Sequence, residues 1–148
     1  MRKISIIFII LGLIIVNNAY TGSIKEEYEL QERCKDSADK WFQKEWGGKH
    51  LSSDKEMTLM ADYRCHYNKN LNKCFIILTS ISIPKNKKDK SIETVVLFDI
   101  NENKEYGSYD KIQNESGYGY VLNMKNNGKV ECFAKVSWEL LVKPYMED

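Results

Sequence analysis

The chain has 148 residues and an almost balanced charge, with 22 basic and 21 acidic side chains. This length suits one domain. The charge balance excludes the general attraction that draws strongly basic proteins to nucleic acid or to anionic membranes. Aromatic residues make up 11% of the chain and only 2 residues are proline, so a hydrophobic core is expected rather than a disordered tether.

The N-terminus has the pattern of a secretory signal peptide. A basic pair, Arg2 and Lys3, precedes an apolar run over residues 4–16, and a short polar patch then ends at Ala19. The run is too short for a membrane span of about 20 helical residues, but it has the length of a signal-peptide core. We predict a cleaved signal peptide over residues 1–19 and a single exported domain over residues 20–148, periplasmic or extracellular. The alternative is that the segment is retained as a membrane anchor.

The first element predicted after the signal is an amphipathic helix. Ser23 and Glu26 form a capping-box pattern at its start, and the pair Gly47-Gly48 supplies its end. One apolar stripe recurs at helical spacing, namely Leu30, Cys34, Ala38 and Trp41. Cys34 is therefore predicted to face the core.

From Met57 the apolar period changes to two, which predicts a half-buried strand. The next run, residues 73–83, is apolar on both faces and predicts a central strand. A two-residue turn at Lys69-Asn70 would place Cys65 opposite Cys74 in a non-hydrogen-bonded pair, the closer type, which suits a cross-strand disulfide.

The four cysteines all follow the predicted signal peptide, and an even number in an exported chain indicates disulfides. Three connectivities are open. The strand register favours Cys65–Cys74, which leaves Cys34 to pair with Cys132. That second bridge would close a loop of about a hundred residues and add on the order of 4 kcal/mol to stability.

The rest of the chain predicts more strands and a closing helix. Ser137 is predicted to cap a short helix that ends at Pro144, with Trp138, Leu141 and Val142 packing inward. Further strands are predicted at 92–100, 105–109, 118–124 and 130–133, with a charged loop at 84–90 and turns at 101–104 and 126–128. The predicted fold class is α+β: an N-terminal helix, an antiparallel sheet of about five or six strands and a short C-terminal helix.

Two segments resemble small secreted bacterial proteins that carry no established activity. The first is YRCHYNKNLNKCF, residues 63–75, and the second is LFDINENKEYG, residues 97–107. Trp138, Lys143, Pro144 and Tyr145 resemble the same group. The resemblance implies an exported, one-domain protein and implies no catalytic residue.

The sequence carries no recognised catalytic or cofactor motif, such as a C-x-x-C pair, a nucleophile elbow or a phosphate loop. Cys65 and His66 are adjacent, so strand alternation should send their side chains to opposite faces. His50 and His66 are the only histidines, and neither has a second histidine at ligand spacing for zinc. We predict no cofactor and no metal.

One stretch imitates the oxygen ligands of a calcium loop: Asp99, Asn101, Asn103, Glu105 and Asp110. Lys104 stands where the loop requires glycine, and strands rather than helices flank it. We therefore predict a polar turn in which Asp99 binds nearby backbone amides. Lys85, Lys87, Lys88 and Lys90 could meet an anionic surface, but Asp89 interrupts them, which favours a solvated loop.

The predicted binding surface consists of four tyrosines near three glycines. They are Tyr106, Tyr109, Tyr118 and Tyr120, spaced among Gly107, Gly117 and Gly119. Tyrosine rings on a flat strand can stack on a sugar or bind a protein partner. The alternative is that these tyrosines pack on a sheet face.

The preferred functional hypothesis is an exported, non-catalytic domain that binds a protein or glycan of the cell envelope. The first alternative is a small secreted hydrolase that uses Asp62 or Asp99 with His66. The second is a membrane-tethered accessory subunit of an envelope complex. No nucleic-acid partner is predicted, and membrane contact is expected only if the N-terminal segment is retained.

Overall fold

The computed structural model describes residues 2–123 and 128–148, with side chains from residue 24 onward. The chain forms two compact units, residues 1–33 and 34–148. The first is helical throughout its described residues and belongs to helix α1, Arg2–Trp46. Over the described ranges, no helix combines the length and the apolar character that a membrane span requires. The side chains of residues 1–23 are not described, so the predicted signal peptide and its cleavage after Ala19 stay a prediction.

The predicted start of the first helix was wrong, whereas its predicted end is confirmed. Ser23 lies inside α1 instead of capping it. No proline precedes Ser23, and a single glycine such as Gly22 weakens a helix without ending it. The helix ends at Trp46, after which Gly47 and Gly48 adopt φ values of 62° and 66°. This left-handed conformation is typical of glycines that follow a helix.

In the described part of residues 34–148, seven antiparallel strands form one sheet, and their order in the sheet follows their order in the chain. The α+β prediction is confirmed, with more strands than expected. A three-residue strand such as β1 is too short for alternation to reveal. The elements after α1 are β1 (Leu51–Ser53), β2 (Met57–Asn68), β3 (Lys73–Pro84), β4 (Ile92–Asp99), β5 (Lys104–Ile112), β6 (Tyr118–Leu122), β7 (Lys129–Cys132) and α2 (Lys135–Met146).

The predicted two-residue turn between β2 and β3 was wrong. Cys65 lies opposite Ile76, and Tyr67 lies opposite Cys74, so residues 69–72 form the connection. Within it Asn72 has a φ of 51°, a conformation that asparagine tolerates. The true register differs from the predicted one by two residues. Such a shift keeps every side chain on its face, so the hydrophobic pattern fits both registers.

The predicted disulfides were also wrong. The bridge joins Cys34 of α1 to Cys74 of β3, with a Cα–Cα distance of 5.4 Å, while Cys65 and Cys132 are free thiols. In the observed register Cys65 is diagonal to Cys74 rather than opposite to it. Cys132 packs in the core beneath α2, on the far side of the sheet from Cys34, so the sheet itself separates these two residues.

The sheet buries both faces, as the apolar pattern of β3 predicts. On one side, the α1 face, Phe42 of α1 packs with Ala61 and Leu78. On the other, the α2 face, Trp138 and Val142 pack inward as predicted. This second and larger core also contains Phe75, Ile77, Val95, Leu97, Tyr106, Tyr109, Val121, Cys132 and Tyr145.

The ends of α2 differ from the prediction. Ala134 is the N-cap and makes no side-chain capping bond, so Ser137 is not the cap. Pro144 lies inside the helix, which continues to Met146. The side chain of Asn68 donates to carbonyls at this end of the helix. The third buried side chain of α2 is Tyr145, whereas Leu141 is only partly buried.

Candidate functional site

The structure divides the four predicted surface tyrosines between the two faces of the sheet. Tyr106 and Tyr109 are only 3% and 2% exposed and belong to the core beneath α2. Tyr118 is 41% exposed and Tyr120 is half-buried, and both lie on the α1 face of β6. The prediction of a single four-tyrosine surface was therefore wrong for Tyr106 and Tyr109.

A β-bulge explains why alternation misplaces Tyr106. Leu97 lies opposite Gly107, but Phe98 lies opposite Glu105, so Tyr106 is an extra residue on β5. A bulge of this kind re-aims a side chain. Here it turns Tyr106 onto the α2 face, where its ring meets Phe75 edge-on at a centroid distance of 5.4 Å.

The nearby glycines make room for Tyr109 inside the core instead of flattening a binding platform. A Cβ atom on Gly117 would lie 2.0 Å from the Tyr109 hydroxyl. A Cβ on Gly119 would lie 2.8 Å from the Tyr109 ring and 2.6 Å from the Ser108 carbonyl oxygen. These glycines therefore serve the packing of one buried ring.

The two remaining tyrosines form an ordered polar and aromatic surface on β5–β7. The Tyr118 hydroxyl donates to Glu131 at 2.7 Å and accepts from Lys129 Nζ at 3.2 Å. The Tyr120 hydroxyl donates to Glu105 at 2.6 Å. We call this set of five residues, Tyr118, Tyr120, Glu105, Lys129 and Glu131, the tyrosine patch.

The Lys129 ammonium ties the tyrosine patch together. Its Nζ lies 4.3 Å from the centroid of the Tyr120 ring and 5.6 Å from that of Tyr118, within the range of a cation–π interaction. The hydrogen bond to Tyr118 raises the pKa of Lys129, and the hydrogen bond to Glu105 raises the pKa of Tyr120. Both shifts favour the charged form of Lys129 and the neutral form of Tyr120 at neutral pH.

An exposed aromatic side chain extends the patch at the end of β7. The ring of Phe133 lies 5.7 Å from that of Tyr118, and 68% of the residue's surface is exposed. Aromatic residues are enriched at the core of protein interfaces, and polar groups surround them at the rim. Phe133 was predicted only as the end of a strand, because one aromatic residue in a strand pattern gives no sign that it stays exposed.

The hydrolase hypothesis requires Asp62 or Asp99 beside His66, but among the described residues neither carboxylate forms a hydrogen bond or an ion pair with His66. Asp62 is close to His50, with 3.4 Å between His50 Nδ1 and Oδ1 of the carboxylate. Four residues of extended strand separate the Cα atoms of Asp62 and His66 by about 13 Å. The nearest carboxylate to His66 Nε2 is that of Asp148, at 3.5 Å and without hydrogen-bond geometry.

Asp99 is fully buried and forms the turn that the sequence predicts. Its Oδ1 accepts from the backbone amides of Asn101 and Glu102 at 2.9 and 3.3 Å, while Oδ2 accepts from Lys73 Nζ at 2.8 Å. These bonds occupy both carboxylate oxygens, so Asp99 is a structural group of the β4–β5 turn. Across the described part of the chain, no cluster of three or more metal-ligating side chains occurs.

Cys65 does not form a nucleophile and base pair with His66. The register puts Cys65 on the α1 face and His66 on the α2 face, as strand alternation predicts. Burial raises the pKa of the Cys65 thiol, and the nearby Asp39 carboxylate raises it further. Both effects lower the fraction of reactive thiolate at neutral pH.

The loop after β3 is exposed along residues 85–90, as expected for a solvated charged segment. Lys90 pairs with Glu115 at 2.5 Å, and the amide of Lys85 donates to the Glu56 carbonyl. Asp89 lies among the lysines, so the loop itself combines charges of both signs.

Two grooves flank α2, and neither was predicted from the sequence. The first, of about 580 Å³, lies over β2–β4 and includes Arg64, Trp138 and Lys143. The second, of about 540 Å³, lies over β6–β7 and is almost entirely apolar, with Val121, Val130, Leu141 and Tyr145 among its walls. Residues 136, 138 and 140–142 of α2 are apolar. One buried helix face accommodates only some of them. The surplus is the feature of the sequence that could have predicted exposed apolar surface beside α2.

Comparison of the chain with protein-family models, with curated proteins and with solved structures finds no match.

Proposed function

We propose that this protein is an exported, non-catalytic domain that binds a protein partner of the cell envelope through the tyrosine patch. The observation that carries the proposal is the fixed arrangement of Tyr118 and Tyr120 around Lys129, with a carboxylate on each hydroxyl. Rings held in place before binding lose little conformational entropy on association. Tyrosines in such positions are frequent energetic centres of protein interfaces.

A protein partner is favoured over a glycan by the position of Lys129. A sugar binds an aromatic platform by stacking its CH groups on the open ring face. In the patch, Lys129 Nζ already lies over the Tyr120 ring at 4.3 Å. A protein interface, in contrast, uses the ring edges, the exposed Phe133 and the flanking charges together.

Export is supported by the basic pair and apolar run at the N-terminus. The Cys34–Cys74 disulfide is consistent with an oxidising compartment. N-terminal sequencing of the native protein tests this part of the proposal, which predicts a new N-terminus at Tyr20. An intact Met1 would instead favour the membrane-tethered accessory subunit.

The binding test compares patch variants with a matched tyrosine elsewhere. Tyr28 is 68% exposed and lies outside the patch, so Tyr28→Ala is the control for Tyr118→Ala and Tyr120→Ala. Each protein is immobilised and exposed to envelope and secreted proteins of the host, and in parallel to a glycan array. We expect the wild type and Tyr28→Ala to retain the same partner, and each patch variant to bind it about tenfold or more weakly.

Two outcomes would contradict the proposal. One is a partner that binds the patch variants as tightly as it binds the wild type. The other is specific glycan binding that the patch variants lose while no protein is retained, because the ligand would then be a sugar. Circular dichroism spectra that match the wild type show that each variant is folded.

A further inference from the structure

We propose that two copies of this chain associate through the outer edge of β7, so that their sheets join into one. The partner is a second copy of the chain, related by a twofold axis that passes beside Val130. Such self-association needs no ligand and is independent of partner binding by the tyrosine patch.

The edge of β7 offers unpaired backbone groups. β7 is the last strand of the sheet in the described residues and pairs on one side only, with β6. The Gly128 carbonyl accepts from the Asn123 amide at 2.7 Å, so Gly128 points its backbone groups toward β6. Backbone groups alternate in direction along a strand. Those of Lys129 and Glu131 therefore point outward, where another strand can bind.

Charge selects one antiparallel register between two such edges. Two β7 strands can form backbone hydrogen bonds with each other only where outward-pointing residues lie opposite one another. Within β7 these residues are Lys129 and Glu131. If Lys129 opposes its own copy, two ammonium groups meet, and if Glu131 opposes its own copy, two carboxylates meet. If Lys129 of one copy opposes Glu131 of the other, both symmetry-related pairs are attractive. Opposite charges on directly opposed residues stabilise a sheet, whereas like charges destabilise it.

This register also suits the side chain between the two charges. It brings Val130 opposite Val130 of the second copy in a non-hydrogen-bonded pair, the closer type. Val130 is 39% exposed and lies on the α2 face, where it forms part of the apolar groove over β6–β7. Pairing joins the two grooves across the axis and removes part of this apolar surface from water.

The same pairing has a consequence for the opposite face. Lys129 and Glu131 both belong to the tyrosine patch. In the joined sheet the two patches are adjacent, separated only by the paired β7 strands. A dimer would therefore present two copies of Tyr118 and Tyr120 on one continuous surface, and a partner with repeated sites would bind it with avidity.

A charge-swap experiment tests the register. We expect the purified protein to show a reversible monomer–dimer equilibrium in analytical ultracentrifugation. Lys129→Glu and Glu131→Lys each turn both attractive pairs into repulsive ones, and each should raise the dissociation constant at least about tenfold. The double variant Lys129→Glu/Glu131→Lys exchanges the charges and should restore the dimer. Lys87→Glu, in the exposed loop after β3, is the matched charge reversal and should leave the equilibrium unchanged.

A cross-link tests the symmetry axis independently of charge. Val130→Cys places two thiols opposite each other, and oxidation should produce a covalent dimer that the wild type does not form. Glu131→Cys faces Lys129 of the other copy and should not cross-link. A protein that stays monomeric at every concentration would overturn the proposal, as would single charge variants that dimerise like the wild type. Equal cross-linking of the two cysteine variants would overturn the register. None of these readouts depends on whether the patch binds another protein.

Discussion

Asn68 at the end of β2 and Pro144 near the end of α2 are joined by a hydrogen bond across 76 residues of sequence. The amide nitrogen of the Asn68 side chain donates to the Pro144 carbonyl at 3.0 Å, and it also lies 3.2 Å and 3.1 Å from the carbonyls of Tyr145 and Glu147. The last carbonyls of a helix have no partner within the helix. One fully buried asparagine therefore completes the C-terminus of α2 and fixes it to the sheet.

Replacing Asn68 by alanine should destabilise the protein by about 2–3 kcal/mol, because buried carbonyls lose their donors. The side-chain oxygen of Asn68, Oδ1, also accepts from the Leu71 amide at 3.0 Å, and this bond is lost as well. Urea denaturation measures the change in the free energy of unfolding. Asn70→Ala, at an exposed position of the same turn, should change little. Equal losses for the two variants would contradict this role for Asn68.

The Cys34–Cys74 bridge predicts a specific pattern of cysteine effects. It spans 40 residues, and in the chain-entropy model a loop of that length contributes about 4 kcal/mol. Cys74→Ser should therefore lower the free energy of unfolding by about that amount, and Cys65→Ser by much less. Alkylation of the unfolded, unreduced protein, followed by mass spectrometry, should label Cys65 and Cys132 only. Labelling of Cys34 or Cys74 without reduction would refute the pairing.

The helices and most strands were predictable because their periodicity depends on local sequence. β3, for example, is apolar at successive positions and is buried on both faces. The β2–β3 register and the disulfide were not predictable in the same way. A shift of two residues leaves Cys65 and Cys74 on their original face, and only the position of Cys34 over the sheet decides which thiol meets Cys74.

The candidate site shows the same division between local and long-range information. Alternation correctly groups Tyr118 with Tyr120 on one face of β6. The bulge that turns Tyr106 away arises from the pairing of β4 with β5, which no local pattern in β5 reveals. The capping role of Asp99 was predictable, because a carboxylate two residues before an amide forms a local turn.

Gly119 should not tolerate alanine, because the added methyl group would overlap the Tyr109 ring and the Ser108 carbonyl. Overpacking of this kind costs about 1–3 kcal/mol. Thermal and urea denaturation should show the loss for Gly119→Ala, whereas Lys111→Ala at the exposed end of β5 should have little effect. Adding Tyr109→Leu to Gly119→Ala should cost less than the sum of the two single changes. Full additivity would mean that the ring and the glycine are not coupled.

Lys73 and the fully buried Asp99 form a partly buried ion pair whose loss should be costly. Burial alone would lower the pKa of Lys73, but its hydrogen bonds to Asp99 and Glu102 raise the pKa above its ordinary value. Asp99→Asn removes the buried charge opposite Lys73 and should destabilise the protein by about 3 kcal/mol. Glu102→Gln, which changes the exposed partner of the same ammonium, should have a much smaller effect. If Glu102→Gln destabilised the protein more than Asp99→Asn, Asp99 would not be the principal partner of Lys73.

Tyr63 of β2 donates its hydroxyl hydrogen bond to Asp39 of α1, and this contact predicts a change in stability at high pH. Burial, followed by the bond to Asp39 and its charge, raises the pKa of Tyr63 from 10.0 to about 12. The folded state thus favours the neutral phenol. This contribution to stability is complete below pH 10 and is lost between pH 10 and about 12, where the unfolded chain ionises first.

Asp39→Asn should lower the pKa of Tyr63 while burial keeps it above 10.0. The loss of stability over this pH interval should then be smaller than in the wild type. The measurements are phenolate absorbance, with Tyr63→Phe identifying the Tyr63 signal, and urea denaturation at several pH values. Asp36→Asn, at an exposed position on α1, is the control and should leave the titration unchanged. If Asp39→Asn leaves the Tyr63 titration as it is in the wild type, the Asp39 carboxylate does not hold the phenol in its neutral form.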